Sequence, residues 1–194
     1  MSLKSPYKGK FKVTQIYKEA RHKGLDLVGL DDKSIYSTVT GTVEAARWDT
    51  HPTGGMGQYI RIKEDGTNRR FYFAHLSDVS VREGQRVQVG EKIGIEGSTG
   101  HSTGIHLHYE IRIEPNNITF LDVAKISGIP NKLGTYEQEE DLKIEDTVVT
   151  IGSSVVKAKL INGVTYTPLR ETIEAIKSQL DVTWDKAKGA GVEL

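Results

Sequence analysis

The sequence lacks cysteine, an excess of either charge, and long apolar runs. With no cysteine among 194 residues, the chain forms no disulfides and no thiolate metal sites, so histidine, aspartate or glutamate must hold any transition metal. Lysine plus arginine and aspartate plus glutamate both number 26. We therefore expect no nucleic-acid partner, which would require a basic excess or stripe. No apolar run reaches the length of a transmembrane helix, so none is expected.

Glycine, in contrast, is abundant at 20 residues, and short alternating segments lie between tight turns. This pattern predicts a mainly β fold. Strand-like segments follow one another from residue 9 to residue 113, and the turn Asp65-Gly66-Thr67-Asn68 indicates a hairpin. The first helical segment is a short one at 120–129.

The composition divides the chain into three parts. Residues 1–129 are the first predicted domain. Residues 130–145, PNKLGTYEQEEDLKIE, are polar and charged and are interpreted as a linker. Residues 146–194 predict a small ββαβ domain, in which Pro168 opens a helix whose apolar positions keep helical spacing. Those positions are Leu169, Ile173, Ile176 and Leu180.

The stretch GSTGHSTGIHLHYEIR at 97–112 places two histidines one residue apart, directly after a glycine-rich loop. It reads as a strand whose side chains alternate between two faces. One face carries His106, His108, Glu110 and Arg112. The other, predicted to face a core, carries Ile105, Leu107, Tyr109, Ile111 and Ile113. The polar face is either a solvent-exposed surface or a site where one imidazole binds a metal and the other works on a proton.

Two other segments supply partners for such a site. His22 and Asp26 share a face of the extended segment HKGLD, with Gly24, which has no side chain, leaving room for an ion between them. His75 ends the aromatic strand FYFAH. Taken alone, the first pair is more simply a surface pair, and His75 is more simply a packed core residue.

Taken together, these residues predict a zinc site. His22, Asp26 and His108 would supply two imidazoles and one carboxylate, and a catalytic zinc ion usually takes three protein ligands. His75 and His106 would remain beside the metal for proton transfer and charge stabilisation. Glu110 either orients an imidazole or is an exposed surface residue.

These segments resemble the lysostaphin/LytM-type zinc metallopeptidases over residues 8–118. The resemblance rests on HKGLDLVG, GTVEAARWD, QYIRIKEDG and FYFAHLSDVSVREGQRVQVGEKIGIEGSTGHSTGIHLHYEIR, in that order. It implies a two-sheet antiparallel β domain with a groove walled by loops 48–58 and 97–104. His51 and His101 lie on those loops and are expected to be solvent-exposed rather than metal ligands.

The resemblance also implies a chemistry and a substrate. It assigns one Zn²⁺ per chain to His22, Asp26 and His108, and catalytic roles to His75 and His106. The implied activity is hydrolysis of peptide bonds in bacterial peptidoglycan, in a cross-bridge or a stem peptide, through a metal-activated water. The implied location is extracellular or in the cell wall, with phage-type release as another route, although the N-terminus has no apolar signal core. A monomer is the default expectation.

The C-terminal segment, especially INGVTYTPLRETIEAIKSQLDVTWD, is similar to the small domain named after the N-terminal domain of copper amine oxidases. Neither copper nor oxidase activity follows, because no histidine lies after residue 108. The expected role is wall attachment or spacing, with an appended domain without a binding role as the alternative.

Two alternative interpretations of the whole chain remain open. The first is a non-catalytic module that binds the cell wall or regulates a hydrolase. It predicts the loss of one or more ligands, and none is missing, or else loops that occlude the groove. The second is a biotinyl- or lipoyl-like β-sandwich, suggested by VREGQRVQVGEKIG. It predicts a modified lysine at a hairpin tip and gives no reason for the histidine and aspartate pattern.

Overall fold

The computed structural model describes residues 5–50, 55–114, 119–138, 144–151, 153–161 and 164–180. The chain divides into two compact units, Met1–Glu140 and Asp141–Leu194. The predicted mainly β fold is confirmed, since the described residues contain only two helices. Neither of these helices is long and apolar enough to span a membrane.

The first unit contains twelve of the described strands and one short helix. In chain order they are β1 (Gly9–Gln15), β2 (Gly24–Gly29), β3 (Ser34–Tyr36), β4 (Gly41–Trp48), β5 (Gln58–Glu64), β6 (Arg69–Ala74), β7 (Asp78–Val79), β8 (Arg86–Val87), β9 (Lys92–Ile95), β10 (Leu107–Ile113), β11 (Thr119–Leu121), α1 (Val123–Ser127) and β12 (Gly134–Gln138).

Two antiparallel sheets form this unit, as predicted. The large sheet has the order β12-β1-β2-β10-β6-β5-β4-β8, and β11 pairs with β10. The small sheet has the order β3-β9-β7. The predicted hairpin is the β5–β6 connection, in which Lys63 pairs with Arg70 across the turn. Gly66 in that turn has a φ of 68°, which a residue without a side chain adopts without strain.

The core takes its side chains from both sheets. Leu107, Tyr109 and Ile111 of β10 are fully buried in it, which confirms the predicted alternation over the middle of the strand. The prediction is wrong at the two ends, because Ile105 is 62% exposed and Ile113 is 38% exposed. Ile105 precedes the first paired residue of β10, so no neighbouring strand covers it.

The predicted linker at 130–145 is wrong for its middle part. Residues 134–138 form β12, which pairs with β1 along the edge of the large sheet. Tyr136 of β12 packs on Phe11, and Asn131 accepts a hydrogen bond from the main chain of Tyr17. The first unit therefore extends to Glu140 rather than ending at residue 129.

The segment that suggested a biotinyl- or lipoyl-like fold does not form a hairpin. Its two strands belong to different sheets, since β8 pairs with β4 whereas β9 pairs with β3 and β7. No lysine therefore lies at a hairpin tip between them.

The second unit contains β13 (Ile144–Ile151), β14 (Ser154–Ile161), β15 (Val164–Tyr166) and α2 (Leu169–Leu180). The three strands form one antiparallel sheet in chain order, so the described part is βββα rather than the start of ββαβ. The last predicted strand, DVTWD, lies outside the described residues. Ala175 of α2 is buried, whereas Ile173 and Ile176 are 40% and 41% exposed. The predicted apolar stripe is thus only partly covered by the described residues.

Candidate metal centre and catalytic cleft

The pairing of β2 with β10 brings together residues that are more than eighty positions apart in the sequence. Asp26 of β2 lies directly opposite His108 of β10 in the antiparallel register. The neighbouring residues Leu27 and Leu107 pair on the opposite, buried face. His22 lies just before β2, in a turn closed by an antiparallel bridge with Lys18. Sheet register therefore positions two of these polar side chains, and the turn positions the third.

Three side-chain atoms converge at this point. His22 Nε2 lies 3.0 Å from Asp26 Oδ1 and 3.2 Å from His108 Nδ1, and His108 Nδ1 lies 2.9 Å from the same carboxylate oxygen. Tetrahedral zinc with bonds of about 2.0–2.1 Å separates its ligand atoms by about 3.3 Å. Two imidazoles and one carboxylate at this spacing fit a Zn²⁺ ion after a small expansion of the cluster, and His22, Asp26 and His108 form the group among the described residues that could hold a metal ion.

Hydrogen bonds fix which ring nitrogen each histidine turns toward the cluster. The Nδ1–H of His22 donates to the main-chain oxygen of Ile16 at 3.0 Å, which leaves Nε2 free as a ligand. His108 is arranged in the opposite way. Its Nε2–H donates to Glu110 Oε2 at 3.3 Å, so Nδ1 faces Asp26 and would become the ligand atom when a metal displaces its proton.

The electrostatics of the cluster favour a cation. Burial works against the charged form of Asp26, but hydrogen bonds from His108 and His22 outweigh it and hold the pKa of Asp26 far below its ordinary value. Burial also disfavours charge on His108, but Asp26 and Glu110 overcome it and raise the pKa of His108 to about 9. Since these carboxylates stabilise positive charge on the imidazole, they also favour a divalent cation at the same place.

His75 adopts an unusual backbone conformation beside this cluster. Its φ of 65° makes it the one non-glycine residue with positive φ among the described residues. Its main-chain N–H donates to the Met56 oxygen at 2.9 Å, and its ring Nδ1–H donates to the Thr99 oxygen at 2.8 Å. Burial lowers the pKa of His75 to about 4, so the ring presents a neutral Nε2 to the cleft. Strain held by surrounding contacts in this way is characteristic of functional residues.

His106 completes the group of imidazoles. Its Nδ1–H donates to the Gly104 oxygen at 2.8 Å, and its Nε2 lies 3.7 Å from Asp26 Oδ2. The ring centroids of His106 and His75 are 4.8 Å apart. The five residues singled out in the sequence thus lie in one place.

These residues lie in a cleft of about 540 Å³. Its lining includes parts of both predicted wall loops, namely Gly55, Met56, His101 and Thr103. The loops are joined, because the His101 N–H donates to the Gly55 oxygen and the Gln58 N–H donates to Thr99 Oγ1 at 2.9 Å. His101 is exposed as expected, whereas His51 lies outside the described residues.

Three residues of the cleft were missed in the sequence analysis. Gln15, Arg21 and Lys23 line it from the end of β1 and the connection to β2. The signal was the cationic character of KEARHK around His22, which is also the pattern of an ordinary solvated turn. The sequence left two interpretations of Glu110, a residue that orients an imidazole or an exposed surface residue. In the structure Glu110 is buried against His108.

The role assigned to Gly24 also changes. A side chain there would place its Cβ 2.5 Å from the Tyr109 oxygen and 2.9 Å from the His108 ring. Gly24 therefore makes room for the backbone of β10 and for the imidazole of His108, whereas the sequence analysis had assigned that room to the ion.

Comparison with known proteins agrees with this geometry. The profile of Peptidase family M23 matches residues 20–120, a stretch that contains all five converging residues. Peptidoglycan DD-endopeptidase ShyA from Vibrio cholerae is 36% identical over 115 residues, which cover 58% of this chain and 26% of that protein. This chain spans about a quarter of the length of the first curated relatives that it matches.

Solved structures give the same result. The catalytic domain of lysostaphin from Staphylococcus simulans superposes with a TM-score of 0.51 at 26% identity, covering 63% of this chain and 93% of that domain. A zinc-containing peptidase from Vibrio cholerae superposes with a TM-score of 0.51 at 28% identity, covering 61% of this chain and 38% of that one. The family match spans more than half of the chain and contains the whole cluster, and the chain therefore belongs to peptidase family M23.

Proposed function

We propose that this chain is a zinc-dependent endopeptidase that hydrolyses peptide bonds in bacterial peptidoglycan, in a cross-bridge or a stem peptide. The observation that carries the proposal is the convergence of two imidazoles and a carboxylate, with two further imidazoles beside them, in an accessible cleft. The name of the relative ShyA, a peptidoglycan DD-endopeptidase, supports peptidoglycan as the substrate. The activity would be exerted outside the cell or in the cell wall, where peptidoglycan lies.

His22, Asp26 and His108 would hold the zinc ion, one per chain. Hydrogen bonds occupy one nitrogen of each ring, so the other nitrogen faces Asp26 and would coordinate the metal, with release of any proton that it carries. When bound by three protein ligands, zinc acts as a Lewis acid and lowers the pKa of a coordinated water toward neutrality.

His75 and His106 would move the protons of the reaction. Peptide hydrolysis requires a proton to leave the attacking water and a proton to reach the leaving amine. Both rings donate Nδ1–H to main-chain oxygens, so Nε2 is the nitrogen that each ring turns toward the cleft. One ring accepts the water proton, and the resulting imidazolium can donate it to the departing nitrogen. The 4.8 Å between the ring centroids lets the two rings divide these tasks.

The lining of the cleft suggests which peptides bind. Asp26 and Glu110 are its acidic residues, and both already accept hydrogen bonds from histidine. Arg21 and Lys23 add positive charge. A peptide with a carboxylate near the scissile bond is therefore favoured over a neutral bridge of glycines.

The competing interpretation, a non-catalytic wall-binding or regulatory module, finds less support. Such a module needs either a missing ligand or a blocked groove. All five residues are present, and among the described residues the cleft is open to solvent over His101 and Thr103.

Digestion of purified peptidoglycan distinguishes the endopeptidase from the non-catalytic module. The full chain, loaded with zinc, should release soluble fragments with new peptide termini that mass spectrometry identifies, and His106→Ala should release none. Sedimentation of the chain with peptidoglycan, without any release by the wild type, would instead favour the binding module.

A further inference from the structure

The polar face of β10 continues past His108 as a connected pair of charged side chains. Glu110 is only 3% exposed. One of its carboxylate oxygens accepts the Nε2–H of His108 at 3.3 Å, and the other accepts the Nε–H of Arg112. A buried carboxylate is costly unless both oxygens have partners, and here both do.

Arg112 is itself held in place. Its guanidinium lies 4.2 Å from the ring centroid of Tyr72 and 4.9 Å from that of Phe120, within the range of cation–π attraction. Its Nη1 lies 3.9 Å from Glu114 Oε1. The planar guanidinium between two rings has little freedom, so it holds the Glu110 carboxylate in one position.

We propose that Glu110 and Arg112 are positioning residues that hold His108 with Nδ1, rather than Nε2, toward the metal. This inference rests on the metal assignment within the proposed function. A neutral imidazole binds a metal through the nitrogen that lacks hydrogen, so the acceptor at the other nitrogen decides which one is available. Rotation of the His108 ring would take Nδ1 away from its place 3.2 Å from His22 Nε2 and 2.9 Å from Asp26 Oδ1.

The two histidine ligands differ in what holds them. His22 is fixed by a main-chain oxygen, that of Ile16, which no substitution removes. His108 depends on a side chain, and that side chain depends on Arg112. The spacing His-x-Glu-x-Arg places all three residues on one face of a single strand, so side-chain substitutions can disturb one ligand without touching the other.

Zinc affinity of the full chain, measured by competition with a chromogenic chelator after metal removal, tests the proposal without any substrate. Glu110→Gln keeps the size of the side chain and removes its charge. It should weaken zinc binding by roughly 10–100-fold, the usual effect of losing such a partner. Arg112→Gln should weaken zinc binding less, because the Glu110 carboxylate is still present beside His108 but Arg112 no longer restricts its position.

Glu44→Gln is the matched control. Glu44 also pairs with arginines on the large sheet, accepting from Arg70 at 3.1 Å and 3.2 Å and lying 3.3 Å from Arg61, but neither arginine belongs to the proposed metal site. It should leave zinc affinity unchanged. Nitrogen-15 NMR of the His108 ring in the zinc-loaded chain gives an independent readout, with a protonated Nε2 and a metal-bound Nδ1 in the wild type and a mixture of the two binding modes in Glu110→Gln.

Three results would overturn the proposal. They are unchanged zinc affinity in folded Glu110→Gln and Arg112→Gln, an equal loss in Glu44→Gln, and a His108 ring that binds zinc through Nε2 in the wild type. If the wild type binds zinc with the expected His108 signal but releases nothing from peptidoglycan, the proposed activity fails and the positioning role stands. If the wild type binds no zinc, both fail.

Discussion

The Nδ1 atom of His108 lies 3.2 Å from the Nε2 atom of His22, although 86 positions separate the two residues. Asp26 Oδ1 lies within 3.0 Å of both atoms. Three donors at this spacing match one face of a tetrahedral zinc site, and their separation in the sequence means that the pairing of β2 with β10 must form before they meet.

Asp26→Asn should remove most of the zinc affinity of the cluster formed by His22, Asp26 and His108. The substitution keeps the shape of the side chain but removes the charge between two imidazoles, so we expect zinc affinity to fall by at least roughly 100-fold, beyond the usual effect of an outer partner. Chelator competition measures this. Asp65→Asn, which alters a surface pair with Arg86, serves as the control and should bind zinc normally. Equal zinc affinity in both variants would rule out Asp26 as a ligand.

Gly24→Ala should displace the His108 ring, because the added Cβ would lie 2.9 Å from it. Its Cβ would lie 2.5 Å from the Tyr109 oxygen, closer than real Cβ atoms approach backbone, so β2 and β10 would have to separate locally. We expect a lower melting temperature and weaker zinc binding. Gly104→Ala is a sharp comparison, because its Cβ would meet nothing within 4 Å although the residue lies beside His106. Thermal unfolding with and without zinc should separate the two variants.

His75 offers a test of backbone strain. At a φ of 65° a side chain is disfavoured, and glycine avoids a cost of about 1–2 kcal/mol. We therefore expect His75→Gly to be more stable than His75→Ala by about 1 kcal/mol, while both lose activity and keep zinc. The same exchange at Ser80, which has ordinary φ, should favour alanine. A more stable alanine variant at residue 75 would show that the backbone there is not strained.

Charge in the cleft should affect substrate choice. Replacing Arg21 and Lys23 together by glutamine should raise KM for peptides with a carboxylate near the scissile bond and leave KM for neutral glycine peptides unchanged. Surface charges contribute about 0.2–1 kcal/mol each, which predicts an increase in KM of about 2- to 30-fold for the pair. Lys63→Gln, an exposed cation outside the cleft lining, is the control. Equal changes for both peptide classes would contradict selection by charge.

Much of the site could be predicted from the sequence because its residues follow strand periodicity. Alternation placed His108 and Glu110 opposite the buried Leu107 and Tyr109, as the structure has them. Long-range relations could not be predicted in this way. Whether Glu110 is buried depends on Arg112 and on aromatic rings from two other strands, Tyr72 and Phe120.

The fold was harder to predict where pairing overrides local composition. Residues 134–138 are polar enough to read as a linker, yet they pair with the edge strand β1 and place Tyr136 on Phe11. The positive φ of His75 was likewise hidden, because the contacts that impose it come from Met56 and Thr99 in two distant loops. Such positions are decided by tertiary contacts rather than by propensity.

The division of labour within His-x-His is the central claim, and metal analysis of three purified proteins tests it most directly. Inductively coupled plasma mass spectrometry should find one zinc per chain in the wild type and in His106→Ala, and little or none in His108→Ala. His106→Ala should nevertheless release no peptidoglycan fragments. An empty site in His106→Ala, or a full one in His108→Ala, would contradict the assignment of the two histidines.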